Sequence, residues 1–182
     1  TLSLLMIVHM LKWKNPRGIL ISPGPGAPQD SGISLQTVLE LGPIFLYLVS
    51  GMGLQCIGEA FGGKIVHSPY GVVHGKSSPV YYDEKGEEGL LPGLSKYVLN
   101  IIGNLSSDEL EVTAWTKDGL IMAARHKKYR HLQGVQFHPE SIITNEGMLI
   151  VRNFVKLIEK RERRLSFIHR PQFLSLRLSS SV

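Results

Sequence analysis

The stretch that decides the fold is LYLVSGMGLQCIGEAFGG, residues 46–63. A hydrophobic run enters a tight glycine-flanked turn at residues 51–53, and the chain leaves the turn as a helix-like segment closed by two glycines. Strand, turn and helix in this order form the elbow on which α/β enzymes carry a nucleophile, at a helix N-terminus whose dipole stabilises a thiolate or an oxyanion. The sequence therefore predicts a nucleophile elbow, although its tip is Gly51 and carries no nucleophile.

Strands and helices alternate around this elbow. Residues 17–22 form a β-branched run that stops at PGPG, residues 23–26, and residues 34–41 have the apolar spacing of a helix. Residues 44–49 form a second apolar strand, and the helix after the turn covers residues 54–61. The order strand, helix, strand, helix predicts an α/β fold with a mostly parallel sheet flanked by helices.

The second half of the chain has a different pattern. Residues 64–82 and 111–124 alternate apolar and polar residues between glycines, which predicts short antiparallel strands beside the main sheet. Residues 134–137 form a strand that runs into HPE, residues 138–140, and residues 150–162 form an amphipathic helix. The predicted apolar face of this helix consists of Val151, Phe154, Val155 and Ile158.

Composition limits the classes of function. The chain has 182 residues, 43% of them hydrophobic, enough for one core in a single domain over residues 1–162. The net charge of +5 is concentrated near the C-terminus and forms no aromatic-studded basic face, so we expect no nucleic-acid partner and a disordered basic tail at 163–182. One cysteine excludes an internal disulfide. The N-terminal apolar run, a strand or the start of a helix, has about eight residues, too few to span a bilayer, and no membrane partner is expected.

Two further loops follow predicted strands and are expected at the same edge of the sheet as the elbow. The backbone N–H groups of Gly24 and Gly26 suit an oxyanion hole or a carboxylate cradle, although PGPG alone is also an ordinary turn. In the HPE loop, a carboxylate can orient an imidazole that acts as a general base, although HPE alone is also a common surface turn. Three such loops in one chain favour a catalytic site.

The three loops together resemble those of a known family. The order ISPGPG at 21–26, MGLQ at 52–55 and GVQFHPES at 134–141 is similar to the class I (triad) glutamine amidotransferases. Within this family the similarity is greatest to the plant-type β subunits of anthranilate synthase and covers residues 12–162. The resemblance implies a flavodoxin-like fold and cleavage of glutamine through a cysteine thioester, with ammonia passed to a partner that aminates chorismate. It implies no cofactor and no metal.

The resemblance also implies the roles of individual residues. Gly24 and Met52 would supply the N–H groups of the oxyanion hole, while Gly26 and Gln55 would help to hold glutamine. His138 would be the general base and Glu140 the acid that orients it. The implied substrate-binding residues are Gly24, Pro25, Gly26, Met52 and Gln55.

The position that corresponds to the family's nucleophilic cysteine is Gly51. Loss of a triad nucleophile typically lowers kcat on the order of 10⁶-fold, so we expect impaired glutaminase activity. Cys56 lies inside the predicted helix and is expected to be a packed structural thiol. The hydroxyl of Ser50 comes one residue early and is expected to point away from the axis of the elbow.

Two other segments differ from the family pattern. Residues 96–107 lack the Arg-Tyr-His-Ser-Leu motif whose Ser-Leu helps to bind glutamine, and the family's first βα unit is absent from the start, which predicts an exposed sheet edge. Codons for residues 44–51 can be chosen so that another reading frame spells the family's Pro-Leu-Phe-Gly-Val-Cys. Two compensating frame changes, in the gene or its assembly, are therefore a hypothesis for the loss of the cysteine.

The resemblance therefore predicts a glutamine amidotransferase subunit of anthranilate synthase, which would serve tryptophan biosynthesis. Its glutaminase activity is expected to be impaired. Its expected partners are L-glutamine and the chorismate-binding α subunit. The alternatives are a catalytically inactive partner subunit, a truncated product without function, the amidotransferase of aminodeoxychorismate synthesis, or an unrelated α/β domain. The resemblance implies a plastid location, although no transit peptide is visible in this chain; otherwise the protein is expected in the cytoplasm.

Overall fold

The computed structural model describes residues 2–22, 24, 26–66, 77–82, 89–94, 97–99, 104–106, 108–139 and 146–168. Four α-helices and nine strands lie in this part of the chain, with a short 3₁₀ helix at Pro28–Asp30. The helices are α1 (Leu2–Lys14), α2 (Ser34–Leu41), α3 (Met52–Ala60) and α4 (Gly147–Ile168). The strands are β1 (Ile19–Ile21), β2 (Tyr47–Ser50), β3 (Lys64–Val66), β4 (Ser77–Tyr82), β5 (Tyr97–Leu99), β6 (Asn104–Ser106), β7 (Leu110–Thr116), β8 (Ile121–His126) and β9 (Leu132–Val135).

The described strands form one seven-stranded sheet and one two-stranded sheet. The large sheet has the order β1-β2-β9-β8-β7-β4-β5, and β3 pairs with β6 separately. The pairs β1–β2 and β2–β9 are parallel, as the alternation of strands and helices predicts. The pairs from β9 to β5 are all antiparallel. The predicted antiparallel strands β4, β7 and β8 therefore extend the main sheet instead of lying beside it, and the sheet is mixed rather than mostly parallel.

Strand β2 lies inside the sheet and is buried on both faces. Leu46 and Leu48 point into one hydrophobic cluster, whereas Tyr47 and Val49 point into the other. This alternation follows from the two-residue period of a strand, and it explains why β2 is apolar at successive positions. Strand β2 therefore belongs to both clusters, as do β7, β8 and β9.

Helix α4 covers one of these clusters, and its face differs from the predicted one. Phe154 is buried and Ile158 packs against the cluster, but Val155 is 43% exposed. The buried stripe instead includes Ile150, which the prediction used only as the helix start, and Asn153. The predicted stripe was wrong by part of a turn, because the side of the helix that packs on the cluster is centred nearer Ile150, Phe154 and Leu157 than Val151 and Val155. The helix also begins at Gly147, before the predicted start. It also continues to Ile168, beyond the predicted end of the domain; residues 169–182 lie outside the described part.

The N-terminal apolar segment is a helix, one of the two structures that the sequence allows. Val8 of α1 is fully buried, and α1 packs against α2, where Lys12 Nζ lies 3.2 Å from Glu40 Oε2. Strand β1, which follows α1, lies at one edge of the large sheet. None of the helices in the described part is both long and apolar enough to cross a membrane.

Candidate active site

The predicted elbow is present between β2 and α3. Gly51 separates the last residue of the strand from the first residue of the helix and has φ 55° and ψ −115°, a conformation that L side chains rarely adopt. Its N–H donates to Val135 O at 2.9 Å, and its carbonyl accepts the N–H of Leu54 at 3.0 Å. These bonds fix the reversal of the chain at the position where elbow enzymes carry the nucleophile.

Two glycines allow the elbow to pack closely against the sheet. A Cβ atom at Gly53 would lie 2.7 Å from Val49 Cβ and 3.4 Å from Ile21 Cγ2. A Cβ at Gly134, on the adjacent strand β9, would overlap the side chain of Val49 and lie 3.0 Å from Leu54 Cδ1. Helix α3 can begin directly at the end of β2 because these positions have no side chains.

Gly24, one of the two described glycines of PGPG, lies beside the elbow. A Cβ at Gly24 would lie 2.7 Å from Met52 Cε, so the two proposed sources of oxyanion-hole N–H groups are neighbours. Gly26 has φ +94°, and after it the 3₁₀ helix Pro28–Asp30 turns the chain against α3. Pro25 lies outside the described residues.

A hydrogen bond links the elbow to the strand that leads to His138. The hydroxyl of Ser50, which is 5% exposed, donates to Phe137 O at 2.8 Å, and Phe137 itself is fully buried. His138 follows Phe137 and is half-buried, while Pro139 packs against Gly147 at the start of α4. The backbone on either side of His138 is therefore held by the elbow, through Phe137, and by the start of α4, through Pro139. Glu140 lies outside the described residues.

The two residues that could replace the missing nucleophile, Cys56 and Ser50, are both buried. Cys56 is fully buried, and burial raises the pKa of its thiol, with a hydrogen bond to Ser31 opposing the change. A buried thiol with a raised pKa is a poor nucleophile, which confirms its predicted structural character. The Ser50 hydroxyl donates to the carbonyl of Phe137.

The described part of the site offers electrostatic stabilisation, and its apex, Gly51, carries no nucleophile. The N–H groups of Met52 and Gly53 lie in the first turn of α3, where intrahelical acceptors are absent and the helix dipole favours negative charge. Gln55 is half-buried one turn further along. These groups can bind a carboxamide or an oxyanion, but thioester formation needs a side chain that residue 51 does not have.

Two features of the site were not predictable from the motifs. The bond from Ser50 to Phe137 O depends on the pairing of β2 with β9, which no local pattern specifies. The contact of the Met52 side chain with Gly24 likewise joins two segments that are distant in sequence. Among the described residues, no group of three or more His, Cys, Asp or Glu side chains could hold a metal ion.

Comparisons with known proteins agree with this geometry. The model of the family "Glutamine amidotransferase class-I" matches residues 3–158. "Anthranilate synthase beta subunit 1, chloroplastic" of Arabidopsis thaliana is 69% identical over 165 residues, which cover 86% of this chain and 60% of that protein. "Anthranilate synthase component 2" of Cyanophora paradoxa is 47% identical over 152 residues, which cover 81% of this chain and 80% of that protein.

A solved structure has the same fold. A putative GMP synthase protein from Thermoplasma acidophilum superposes with a TM-score of 0.69 at 22% identity, covering 87% of this chain and 80% of that one. At this identity the likeness shows the fold alone. The chain spans about 60% of the length of the plant relatives that it matches.

Proposed function

Because the chain belongs to the class I glutamine amidotransferase family, we propose that it is the amidotransferase (β) subunit of an anthranilate synthase, with glutamine hydrolysis impaired at position 51. The single observation that carries the proposal is the elbow itself. Gly51 has the backbone conformation of an elbow nucleophile but no side chain to attack the substrate.

The names of the relatives support the assignment to anthranilate synthase. Two plant proteins named as its β subunits are 69% identical to this chain over 165 residues. The proposed partner is a chorismate-binding α subunit, to which the ammonia from glutamine would be delivered for tryptophan biosynthesis. The chloroplastic names of these relatives support a plastid location for this chain.

Each residue of the site would have its own role in the reaction. The N–H groups of Gly24 and Met52 would stabilise the oxyanion on the glutamine amide carbon, and His138, oriented by Glu140, would move the proton. Pro25, Gly26 and Gln55 would hold the substrate. Without a thiol at Gly51, only these electrostatic and positioning effects remain, and they alone supply a small part of triad catalysis.

A comparison of the natural chain with Gly51→Cys tests the proposal. Glutamate release is measured for both proteins, each with and without the chorismate-binding subunit. We expect turnover by the natural chain to be lower by a factor of about 10⁴ or more, because the oxyanion site acts there without a nucleophile. Turnover of the natural chain near that of Gly51→Cys would contradict the proposed impairment.

A chemical control separates the elbow from the glutamine site. In Gly51→Cys, alkylation by iodoacetamide followed by mass spectrometry should modify Cys at position 51 quickly, because helix N-termini favour the thiolate. Cys56 should react slowly because it is buried. Rapid alkylation without glutamate release would place the remaining defect in glutamine binding, at residues 96–107.

The absence of a nucleophile favours a second candidate function, that of a non-catalytic partner subunit. Co-purification with the α subunit, unchanged ammonia-dependent synthase activity and no glutamine-dependent activity would together support it. Aggregation of the purified chain would favour a product without function. The same assay with a chorismate-binding subunit of aminodeoxychorismate synthase tests the alternative partner: binding to that subunit in preference to the anthranilate synthase subunit would favour the sister reaction.

A further inference from the structure

Gln136 is a buried side chain whose amide nitrogen has no hydrogen-bond partner in the described part of the chain. The residue is 3% exposed, and no described atom accepts a hydrogen bond from its Nε2. Its backbone N–H, by contrast, donates to Met122 O at 2.8 Å. Such buried polar atoms are rare, because they have lost water without gaining a hydrogen bond. Gln136 belongs to the GVQFHPES motif, but none of the roles assigned to that motif involves its amide.

Gln136 lies beside the apex of the elbow. The parallel pairing of β2 with β9 ends at Ser50 and Val135. The N–H of Gly51 continues this pairing by donating to Val135 O at 2.9 Å. Gly51 therefore lies opposite Gln136, at the spacing of neighbouring strands, about 4.8 Å. The bond from the Ser50 hydroxyl to Phe137 O holds the backbone on the other side of Gln136.

The side chain of Gln136 lies on the face of the sheet that α3 covers. Val135 and Phe137 both belong to the cluster on the opposite face, so Gln136 between them shares its face with Gly134. A Cβ at Gly134 would lie 3.0 Å from Leu54 Cδ1, in α3. Because α3 begins at the elbow and Leu54 already lies over Gly134, the first turn of α3 lies over the next position of that face, Gln136.

The first turn of α3 offers hydrogen-bond donors. The N–H groups of Met52 and Gly53 have no acceptor within the helix, and the helix dipole favours negative charge there. The Nε2 of Gln136 adds a third donor at the same place. A ligand that satisfies these groups has to bring a hydrogen-bond acceptor, and a carbonyl oxygen that becomes negative during a reaction is such an acceptor.

We propose that Gln136 is a further substrate-contacting residue, which donates from Nε2 to the side-chain carbonyl oxygen of glutamine at the elbow. The inference rests on the proposed function and adds a donor to the N–H groups of Gly24 and Met52. In Gly51→Cys, the thiolate sulfur would attack the amide carbon, and the C=O electron pair would move onto the oxygen that Gln136 binds. Ammonia would then leave with a proton from His138, and a thioester would remain. In the natural chain, the same donor would only help to hold glutamine.

The stability of the natural chain tests whether the amide has a structural role instead. Gln136→Met keeps the length of the side chain and removes an amide without a partner, so the urea midpoint should stay the same or rise. Gln133→Met is the matched control. Gln133, 4% exposed on the same strand, donates to Arg130 O at 2.9 Å, and loss of this bond should lower the midpoint. A lower midpoint for Gln136→Met would overturn the proposal.

Kinetics test the contact with the substrate. In the Gly51→Cys background, Gln136→Met should lower kcat for glutamate release about 100-fold, much more than it raises KM, because the bond strengthens as the oxyanion forms. Gln133→Met in the same background should leave kcat unchanged. An unchanged kcat in Gln136→Met would contradict the donor role.

A small ester separates this inference from the proposed function. p-Nitrophenyl acetate needs no glutamine site: the thiolate of Gly51→Cys would attack its carbonyl carbon, the oxyanion would form at the same elbow, and p-nitrophenolate would leave. We expect Gln136→Met to slow this acylation about 100-fold and Gln133→Met to leave it unchanged. If every variant fails to release glutamate but acylation depends on Gln136, the proposed function fails and the donor role stands. Equal acylation rates with and without the amide would overturn the donor role.

Discussion

His126 is a buried imidazole whose neighbours favour its neutral form. Its Nδ1 accepts the backbone N–H groups of Lys128 and Tyr129 at 3.1 and 3.2 Å, and its Nε2 lies 3.2 Å from Glu109 Oε2. The ring also packs edge-on against Phe61, with centroids 4.5 Å apart. Burial lowers the pKa of His126 from its ordinary value of 6.5, and Glu109 opposes this only in part.

Stability should therefore decrease in mild acid. Because the pKa of His126 is lower in the folded protein, the unfolded chain takes up the proton first as the pH falls below 6.5, and the free energy of unfolding decreases. His131, whose pKa is also lowered by burial, acts in the same direction. Urea unfolding at a series of pH values should show that acid lowers the free energy of unfolding less in His126→Asn than in the natural protein. The asparagine keeps an acceptor near the Nδ1 position. The control is His9→Gln, which removes an exposed imidazole, and an equal decrease in both variants would contradict the assignment.

At the residue scale, the sequence predicted the elbow at Gly51 but not the hydrogen bond beside it. Gly51 and Gly53 are recognisable because an elbow needs small residues at a sharp turn. The bond from the Ser50 hydroxyl to Phe137 O was not predictable, since it joins residues 87 positions apart. The role of Met52 against Gly24 depends in the same way on how the loops meet in the folded chain.

Among the elements, helix α4 holds the segment at residues 90–94 through one buried amide. Asn153, 7% exposed, donates to Leu90 O at 3.0 Å and to Pro92 O at 2.9 Å. Replacement by leucine leaves both carbonyls without this donor, so Asn153→Leu should lower the free energy of unfolding by about 2 kcal/mol in urea titrations. Arg152→Ala, at an exposed neighbouring position, should change it by less than about 0.5 kcal/mol. Equal effects of the two variants would show that the amide has no special role.

The helices show which elements are predictable from sequence. The bounds of α2 agree with the prediction at both ends, because its apolar spacing lies between clear turn residues. The bounds of α4 do not agree, since residues 163–168, RRLSFI, continue the helix to Ile168. The exposed Val155 shows that a stripe inferred from one helix is uncertain until its packing partner is known.

For the whole molecule, the two hydrophobic clusters should unfold together because β2 belongs to both. Leu48→Ala and Val49→Ala remove apolar contacts from opposite faces of the same strand. Each should lower the free energy of unfolding by about 2–4 kcal/mol. Tryptophan fluorescence and far-ultraviolet circular dichroism should still report one transition. Leu39→Ala, at a position that is 47% exposed, serves as the control. Separate transitions in the two probes would contradict the coupling of the clusters.

The parallel half of the sheet could be predicted, and the way the rest joins it could not. Strand β1, strand β2 and the strand before His138 are short apolar runs that end in glycine-rich or proline-containing loops, which is typical of α/β units. Strand β8, however, is buried at all six positions instead of alternating, and the pairings of β9 with β2 and of β7 with β4 join segments that are far apart in the sequence. Local pattern identifies strands, whereas their neighbours depend on the packing of the whole chain.

The backbone at Gly51 also bears on the repair of the site. Its shape is maintained by hydrogen bonds to Val135 and Leu54 and by glycines that pack on Val49, none of which involves a thiol. The form of the elbow therefore does not depend on the residue at its apex. A single substitution, Gly51→Cys, would place a thiol on a turn whose hydrogen bonds are already formed.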